Sequence, residues 1–415
     1  MSVRLPAHEA TTAQLGALYP AVATHTLPVE GLYVGRDLFG GLFVHDPFAL
    51  YRSGVLSNPN MVVLGEIGRG KSAFVKSFLY RQAAFGRRIV VFDPKGEYGQ
   101  LTRALGATPI TLAPGGALRL NPLDVASANA EASERHRMQL NGLAGMSAAS
   151  LGRALSPVEL VALEVALGDA RSRGDVVTLA PVVDALLAPS ERGASGVGER
   201  PAALRAEARE VAHGLRRFVQ GDLAGMFDAV TSPGVDLRAA VVSVDLSALS
   251  TSPALGAVVA SVQCALEPTF RSARSGPTLL VVDEAWAVLS NLAAARFLQS
   301  TFKLARAFGV ANVLVVHRAS DLAAAGAAGS VTERLAEGLL SDAETVVCYS
   351  QSPAEAAGAE ALLGLSTAEA RTVVGLRRGV ALWHVGTQRF LVELRLSAAE
   401  RALVDTDQAL RAEPA

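Results

Sequence analysis

The feature that most constrains this chain is a glycine-rich segment, Gly65-Glu66-Ile67-Gly68-Arg69-Gly70-Lys71-Ser72. The segment fits the pattern G-x-x-x-x-G-K-[ST]. A short apolar run, Met61 to Leu64, precedes it, and residues 72–85 have the composition of a helix. A strand, a glycine loop and a helix in this order predict a phosphate-binding loop, because N–H groups of the loop and of the helix N-terminus then face an anion.

The side chains of this loop predict how it would bind ATP. Glycine lets the backbone turn toward the phosphates. Lys71 would reach the β- and γ-phosphates, and the Ser72 hydroxyl would bind Mg²⁺. The residues that we expect to contact the nucleotide are Gly65, Glu66, Ile67, Gly68, Arg69, Gly70, Lys71, Ser72 and Ala73. The alternative is a chance glycine turn in front of a helix.

A second motif, the acidic pair Asp283-Glu284, follows the apolar run Thr278 to Val282. If that run is a strand beside the phosphate loop, Asp283 lies at its carboxyl end, where it would hold Mg²⁺ together with Ser72. Glu284 would be the general base that accepts a proton from the water attacking the γ-phosphate. The alternative is a solvated acidic pair that caps the next helix. The two motifs in this order predict a P-loop ATPase.

Polar residues also follow two other apolar runs. Asp93, Lys95 and Glu97 come after the run Arg88 to Phe92. Ligands bind at the carboxyl ends of strands in open α/β sheets, so we expect Asp93 and Glu97 to face the nucleotide. The alternative is a proline- and glycine-containing turn, which also attracts polar residues. His317 ends a later strand and would sense the γ-phosphate, or it is a surface residue at a strand end.

Apolar runs alternate with helical stretches along most of the chain. This alternation predicts an α/β fold with a mostly parallel sheet and helices on both faces. The exception is Ala128 to Phe227, where Ala, Leu, Glu and Arg dominate and helical spacing recurs, which predicts an inserted all-α lobe. A Gly/Ser-rich stretch inside it, Ser190 to Gly198, predicts a mobile loop. This insertion accounts for the long separation between Lys71 and Asp283.

The pattern divides the chain into five segments. Residues 1–30 are an extended lead-in, 31–127 the first part of the ATPase domain with its phosphate-binding loop, 128–235 the helical lobe, 236–396 the second part of the ATPase domain, and 397–415 a C-terminal tail. A glycine pair between apolar residues predicts a β-hairpin at the start of the second segment.

Composition narrows the class of protein. The net charge is −1 with both signs interspersed, which argues against a protein that coats nucleic acid. Two cysteines far apart argue against a disulfide framework and a zinc site. The sequence lacks a secretory signal pattern and an uninterrupted apolar stretch of the ~20 residues that span a membrane. We therefore expect a cytoplasmic protein.

Several of these segments together resemble conjugal-transfer ATPases of type IV secretion, most strongly their TraC-like, actinobacterial branch. These ATPases belong to the FtsK/HerA superfamily of P-loop motors. The segments that carry the resemblance are Gly31 to Asp37, the phosphate loop, Phe92 to Tyr98, Asn121 to Leu123, Val281 to Trp286 and Leu304 to Gly309. The resemblance covers nearly the whole chain.

The resemblance implies a RecA-like P-loop NTPase fold with an inserted helical domain, and ATP and Mg²⁺ as cofactors. It also implies hexamers at the inner face of the cell membrane, held there by channel or coupling proteins, that use ATP to move DNA or protein. The alternative from the same superfamily is a HerA/FtsK-like translocase or helicase that acts directly on DNA. A nucleotide-binding scaffold with little turnover is a third possibility, against which the complete set of motif residues argues.

Two features depart from the family pattern. The family often has Gln where this chain has His317, and the N-terminal domain by which members dock on the channel is mostly missing from this sequence. We also expect an arginine of a neighbouring subunit in the ring to reach each nucleotide, because Lys71 and one Mg²⁺ leave room for a further cation beside the γ-phosphate. Arg306 and Arg377 or Arg378 are the candidates, because their segments resemble arginine-bearing stretches of the family. The alternative for each is a solvated surface arginine.

Overall fold

A computed structural model describes residue 27 and residues 30–39, 41–124, 131–174, 176–270, 276–318, 320–321 and 331–404. Most of the predicted lead-in and most of the predicted tail lie outside these ranges. Within them, the chain forms one large sheet with helices on both faces.

The sheet has eleven strands in the described part of the chain. The strands are β1 Tyr33–Asp37, β2 Leu42–Val44, β3 Met61–Leu64, β4 Arg88–Asp93, β5 Ile110–Thr111, β6 Val241–Asp245, β7 Thr278–Val282, β8 Val310–Val316, β9 Thr345–Cys348, β10 Val380–Val385 and β11 Gln388–Leu394. Their order across the sheet is β2-β1-β11-β10-β9-β3-β8-β7-β4-β6-β5. The predicted hairpin is β1 and β2, which join the sheet through β11.

The strands from β9 to β5 in that order pair in parallel, whereas β10, β11, β1 and β2 continue the sheet in antiparallel fashion. The predicted mostly parallel α/β sheet is therefore confirmed. Because antiparallel neighbours need only a short turn, β10 and β11 are joined through Gly386, whereas each parallel neighbour requires a long crossover.

Each central strand is apolar along its whole length because both of its faces are covered. Val62 and Leu64 of β3 pack into one hydrophobic cluster, and Met61 and Val63 pack into the other. Alternation of side chains across the strand distributes them in this way. Two cores, one on each face, thus hold the central strands in place.

The helices cover the two faces unequally. They are α1 Pro47–Arg52, α2 Lys71–Ala84, α3 Gly99–Ala104, α4 Ala132–Leu151, α5 Pro157–Arg171, α6 Leu179–Leu187, α7 Glu191–Gly196, α8 Pro201–Glu207, α9 Arg209–Gln220, α10 Leu255–Phe270, α11 Ala285–Leu289, α12 Leu292–Lys303, α13 Ala305–Phe308, α14 Val331–Ser341, α15 Pro353–Leu363, α16 Thr367–Val374 and α17 Ala398–Val404. Helices α1, α2, α3 and α17 pack on one face, and α4 to α12 with α14 to α16 pack on the other.

The stretch between β5 and β6 contributes only helices to the described structure, α4 to α9. These helices share one continuous buried cluster with α10 and α12, so they pack on the sheet through those two helices. The division of the chain into domains at residues 128 and 235 stays a prediction.

The prediction of a loop from Ser190 to Gly198 is wrong for most of that stretch. Residues 191–196 form helix α7, and Ser190 is its N-cap. The Ser190 hydroxyl accepts a hydrogen bond from the Gly193 N–H at 2.9 Å and donates one to Asp169 of α5 at 2.7 Å. A capping serine tied to a neighbouring helix offsets the poor helix propensity of the glycines that follow it.

Candidate nucleotide-binding site

Four neighbouring parallel strands bring the predicted motifs to one edge of the sheet. Strands β3, β8, β7 and β4 lie side by side in that order and point the same way. The phosphate loop follows β3, His317 follows β8, the acidic pair follows β7, and the turn after Asp93 follows β4. Residues distant in sequence therefore meet at the carboxyl ends of these strands, where α/β sheets bind ligands.

The backbone of the loop depends on glycine at two positions. Gly70, immediately before α2, has φ +115°, which side chains with a Cβ rarely adopt. At Gly65 the backbone lies so close to β9 that a Cβ would be 2.5 Å from the Cβ of Tyr349. The loop thus packs directly on the segment that follows β9, and any larger residue at Gly65 would displace it.

Lys71, the first residue of α2, is folded back over the loop. Its ammonium group donates hydrogen bonds to the carbonyl oxygens of Gly65 and Glu66, the second at 2.9 Å. Burial lowers the pKa of Lys71 to about 8, and the negative charges of Asp283 and Glu284 oppose this shift. A buried ammonium held only by neutral carbonyls is well placed to bind phosphate oxygens instead.

The side chains of Glu66 and Arg69 hold the loop in shape. Glu66 pairs with Arg69 at 3.2 Å and accepts a hydrogen bond from the N–H of Ser352 at 2.9 Å. The Glu66 N–H donates to the Ser350 carbonyl at 3.1 Å. The Arg69 N–H donates to the Glu66 carbonyl at 3.4 Å, so a contact of either residue with phosphate stays a prediction. The Ile67 side chain is 76% exposed at the tip of the loop.

Asp283 and Glu284 lie at the end of β7 on an unusual backbone. Glu284 has φ +49°, and it is the only non-glycine residue with positive φ in the described ranges. The Glu284 N–H donates to the Asp283 carboxylate at 2.9 Å, and the Glu284 side chain makes no capping bond to α11. The alternative role of a helix-capping acidic pair is therefore not what the structure shows. The αL turn directs Glu284 toward β8 and β4.

Asp283 is almost completely buried, with 3% of its surface exposed. Burial raises its pKa, and the adjacent charge of Glu284 raises it further. A carboxylate in this environment gains from a nearby cation, so Asp283 fits the role of a Mg²⁺ ligand, with Ser72 at the start of α2 supplying a hydroxyl. Among the described residues there is no cluster of three His, Cys, Asp or Glu side chains that would hold a metal alone. Such a site needs phosphate and water oxygens to complete it.

Three side chains contact the Glu284 carboxylate. Lys95 and His317 both pair with Oε1, and the Trp286 indole N–H donates to Oε2 at 2.6 Å. Lys95 Nζ also lies 3.1 Å from His317 Nε2. Burial raises the pKa of Glu284, but the hydrogen bonds from His317 and Lys95 outweigh it and lower the pKa to about 2. Glu284 is thus an ionised carboxylate at any pH near neutrality.

Asp93 and Glu97, which we expected to face the nucleotide, shape the turn that carries Lys95. The buried Asp93 carboxylate accepts the N–H groups of Glu97 at 3.1 Å and Tyr98 at 2.9 Å. Burial raises the pKa of Asp93 to about 6, although these bonds lower it. Glu97 pairs with the buried Lys76 of α2 at 3.8 Å. The structure supports the turn interpretation, and a contact of either residue with nucleotide stays a prediction.

The three candidate arginines lie at two different ends of the strands. Arg306 is exposed on α13, just before the amino end of β8, so the length of that strand, roughly 20 Å, separates it from the phosphate loop. Arg306 cannot reach the nucleotide of its own chain. Arg378 is exposed next to Gly379, whose N–H donates to the Arg69 carbonyl at 3.0 Å, so it lies beside its own loop. Arg377 pairs with Glu393 at 2.8 Å.

Sequence reasoning missed the contribution of the segment after β9. This segment supplies the Tyr349 side chain and the Ser350 carbonyl that hold the phosphate loop. It also supplies the buried Gln351, whose amide donates to the His317 carbonyl at 3.4 Å. The sequence signal that could have identified this segment is the polar pair Ser350-Gln351 directly after an apolar run. The sequence does not reveal, however, that β9 lies beside β3.

Residues 52–134, which include the phosphate loop, match the family model of an AAA-like domain. No curated protein sequence matches the chain significantly. No helix in the described part is long and apolar enough to cross a membrane.

Solved structures with the same fold cover nearly the whole chain. VirB4 of Thermoanaerobacter pseudethanolicus is 22% identical, with a TM-score of 0.70 over 91% of this chain and 100% of that one. The bacterial conjugative coupling protein TrwB, lacking its first 70 residues, is 12% identical, with a TM-score of 0.57 over 92% and 91% of the two chains. TrwB in complex with ADP and Mg²⁺ is 13% identical, with a TM-score of 0.56 over 82% and 86%. The chain therefore has the fold of VirB4 and of the conjugative coupling protein TrwB, which confirms, at the level of the fold, the resemblance expected from its sequence.

Proposed function

We propose that this chain is an ATP-hydrolysing motor of a conjugation or type IV secretion apparatus. The observation that carries the proposal is the meeting of Lys71, Asp283 and Glu284 at the carboxyl ends of the parallel strands β3 and β7, which β8 separates. A phosphate-binding lysine, a buried carboxylate and an ionised base in one place are the parts that phosphoryl transfer to water requires. The match to VirB4 over its full length supports the secretion context.

Each residue has a defined task in this proposal. Lys71 leaves the loop carbonyls for the β- and γ-phosphates of ATP. Ser72 and Asp283 would hold Mg²⁺, which neutralises charge on the phosphate oxygens when bound. Glu284 accepts a proton from the attacking water, once one of its oxygens is free of its present partners. The existence of TrwB with bound ADP and Mg²⁺ supports these two cofactors.

The proposed working form is a ring of this chain, of six subunits by resemblance to its superfamily. Arg306 lies too far from its own phosphate loop to act there, which supports a role at the site of a neighbouring subunit. Arg378 lies beside its own loop, so we propose that it acts within the subunit. Channel and coupling proteins would hold the ring at the inner face of the membrane, and the cargo would be DNA or protein.

Hydrolysis of ATP by the purified protein, measured with and without DNA, tests the proposal. We expect Mg²⁺-dependent hydrolysis that Lys71→Ala abolishes. Strong stimulation by duplex or single-stranded DNA in the absence of any partner would favour the alternative, a DNA translocase or helicase. Tight ATP binding without turnover would favour a scaffold and would overturn the assignment as a motor.

A further inference from the structure

We propose that Lys95 is a positioning residue that holds Glu284 in a restrained state, and that the phosphates of bound ATP draw Lys95 away and release Glu284. This inference rests on the proposed nucleotide site. It adds that binding of ATP at this site controls whether Glu284 can accept a proton. Before ATP binds, Lys95 pairs with Glu284. After ATP binds, Glu284 is released from Lys95 and can accept a proton from water.

The first argument is that both oxygens of the Glu284 carboxylate are occupied. Oε1 pairs with Lys95 and His317, and Oε2 accepts the Trp286 indole N–H at 2.6 Å. A carboxylate bonded at both oxygens to cationic or N–H donors is a poor acceptor for the proton of a water molecule. Departure of one cationic partner would therefore make Glu284 a better base.

The second argument identifies Lys95 as the partner that leaves. The Lys95 side chain is 38% exposed, whereas those of Glu284 and His317 are only 7% and 15% exposed. Lysine carries its charge on a flexible chain, so the ammonium can move while the backbone stays fixed. The backbone of its turn is fixed, because Asp93 accepts two of the N–H groups that follow Lys95.

The third argument is that Lys95 lies within electrostatic range of the phosphate-binding lysine. The positive charge of Lys95 acts against that of Lys71, and Asp283 and Glu284 attract both. An anion with the charge of a triphosphate, bound at Lys71, would compete with Glu284 for Lys95. A diphosphate lacks the γ-phosphate oxygens, which are the ones nearest to a base that activates the attacking water, so ADP would compete less.

Trp286 provides a direct readout of this exchange. The chain has two tryptophans, and Trp383 is buried among Phe43, Phe74 and His45. Trp286 is 39% exposed and bonded to Glu284, so its fluorescence depends on where that carboxylate lies. A Trp286→Phe variant identifies the part of the signal that belongs to Trp286.

The experiment is titration of the full chain with Mg²⁺ and AMP-PNP or ADP while fluorescence is recorded. In the parental protein, AMP-PNP should change the Trp286 signal more than ADP does. In Lys95→Met the free protein should already show the altered signal, and AMP-PNP should add no further change. Lys95→Arg, which keeps the cation, should behave as the parental protein. Lys303→Met removes an exposed lysine at the end of α12 and should change nothing.

Two outcomes would overturn the inference. One is a Trp286 signal in the parental protein that does not respond to AMP-PNP, although the nucleotide binds. The other is a Lys95→Met protein, folded by circular dichroism, that keeps both the parental signal and the parental response. ATP hydrolysis by the same samples separates this result from the proposed function: a responsive Trp286 without hydrolysis would defeat only the function, and hydrolysis without a response would defeat only the role of Lys95.

Discussion

Gly379 donates its backbone N–H to the carbonyl oxygen of Arg69 at 3.0 Å, which joins the segment before β10 to the phosphate loop. This bond places the exposed Arg378 at the site of its own chain, while Arg306 lies at the other end of the sheet. The two arginines should therefore behave differently when subunits are mixed.

Arg306→Ala subunits mixed with Lys71→Ala subunits should regain turnover. The first kind lacks the arginine and the second lacks the phosphate site, so some junctions in a mixed ring pair an intact site with an intact arginine. In enzymes where such an arginine is known, its loss lowers the rate of hydrolysis by roughly 10³- to 10⁵-fold. The same mixing with Arg378→Ala should give no rescue, because that defect stays with its own site. Turnover per subunit of the parental protein should also rise with protein concentration, because subunits must assemble to complete each site. A turnover per subunit that does not depend on concentration would argue against a ring.

Lys71→Ala should reduce turnover by about 10² or more and weaken nucleotide binding, since it removes the charge that offsets phosphate. The fold should stay intact, because the hydrogen bonds of the lysine side chain in the described structure go to two carbonyl groups of its own loop. Steady-state hydrolysis, with circular dichroism as the control for folding, measures this. Parental activity in the variant would exclude the proposed site.

Glu284→Gln should separate binding from hydrolysis. An amide keeps the size of the carboxylate but is a far poorer base, so turnover should fall by ~10² to 10⁴ while ATP still binds. A single-turnover assay that follows bound ATP should show it persisting on the protein. Hydrolysis at the parental rate would mean that another group takes the proton.

The buried His45 should make stability depend on pH. Burial lowers its pKa from 6.5 to about 4, although the charge of Asp46 opposes the shift. Below pH 6.5 the unfolded chain binds a proton that the folded chain does not take up until about pH 4, so the free energy of unfolding should fall by about 2 to 3 kcal/mol across that window. Urea unfolding at several pH values measures it.

His45→Phe should lose this part of the pH dependence, since phenylalanine does not titrate. His213→Phe, a change at an exposed histidine of α9, is the matched control and should keep the parental slope. Identical slopes for His45→Phe and the parental protein would show that His45 is not the group responsible.

The parts of the site that were predictable from sequence are those specified by local pattern. Glycine spacing with Lys71 identifies the phosphate loop, and an apolar run ending in Asp283-Glu284 identifies β7. The expectation that this strand lies directly beside β3 is wrong, because β8 lies between the two. The partners of Glu284 were less predictable. Lys95 and His317 are far from it in sequence and meet it only because β4 and β8 flank β7, and strand order depends on how helices cross the sheet.

The prediction of a loop from Ser190 to Gly198 was wrong for a different reason. Its glycines and serines predict a loop by propensity, yet the Ser190 hydroxyl bonds with Asp169 and caps a helical turn. Tertiary contacts of this kind override weak local preferences. The same limit applies to Asp93, where a strand-end position did not distinguish a ligand-facing carboxylate from one that shapes a turn.

The left-handed backbone at Glu284 has a consequence for how stability and turnover are balanced in this chain. A residue with a Cβ is strained at φ +49°, whereas glycine is not. Glu284→Gly should therefore be more stable than Glu284→Ala by about 1 kcal/mol, because both lose the carboxylate but only glycine relieves the strain. Thermal denaturation of the pair would measure it. The backbone at this position thus favours a residue without a Cβ, whereas hydrolysis requires a carboxylate there, so the proposed base carries a conformational strain that its contacts must offset.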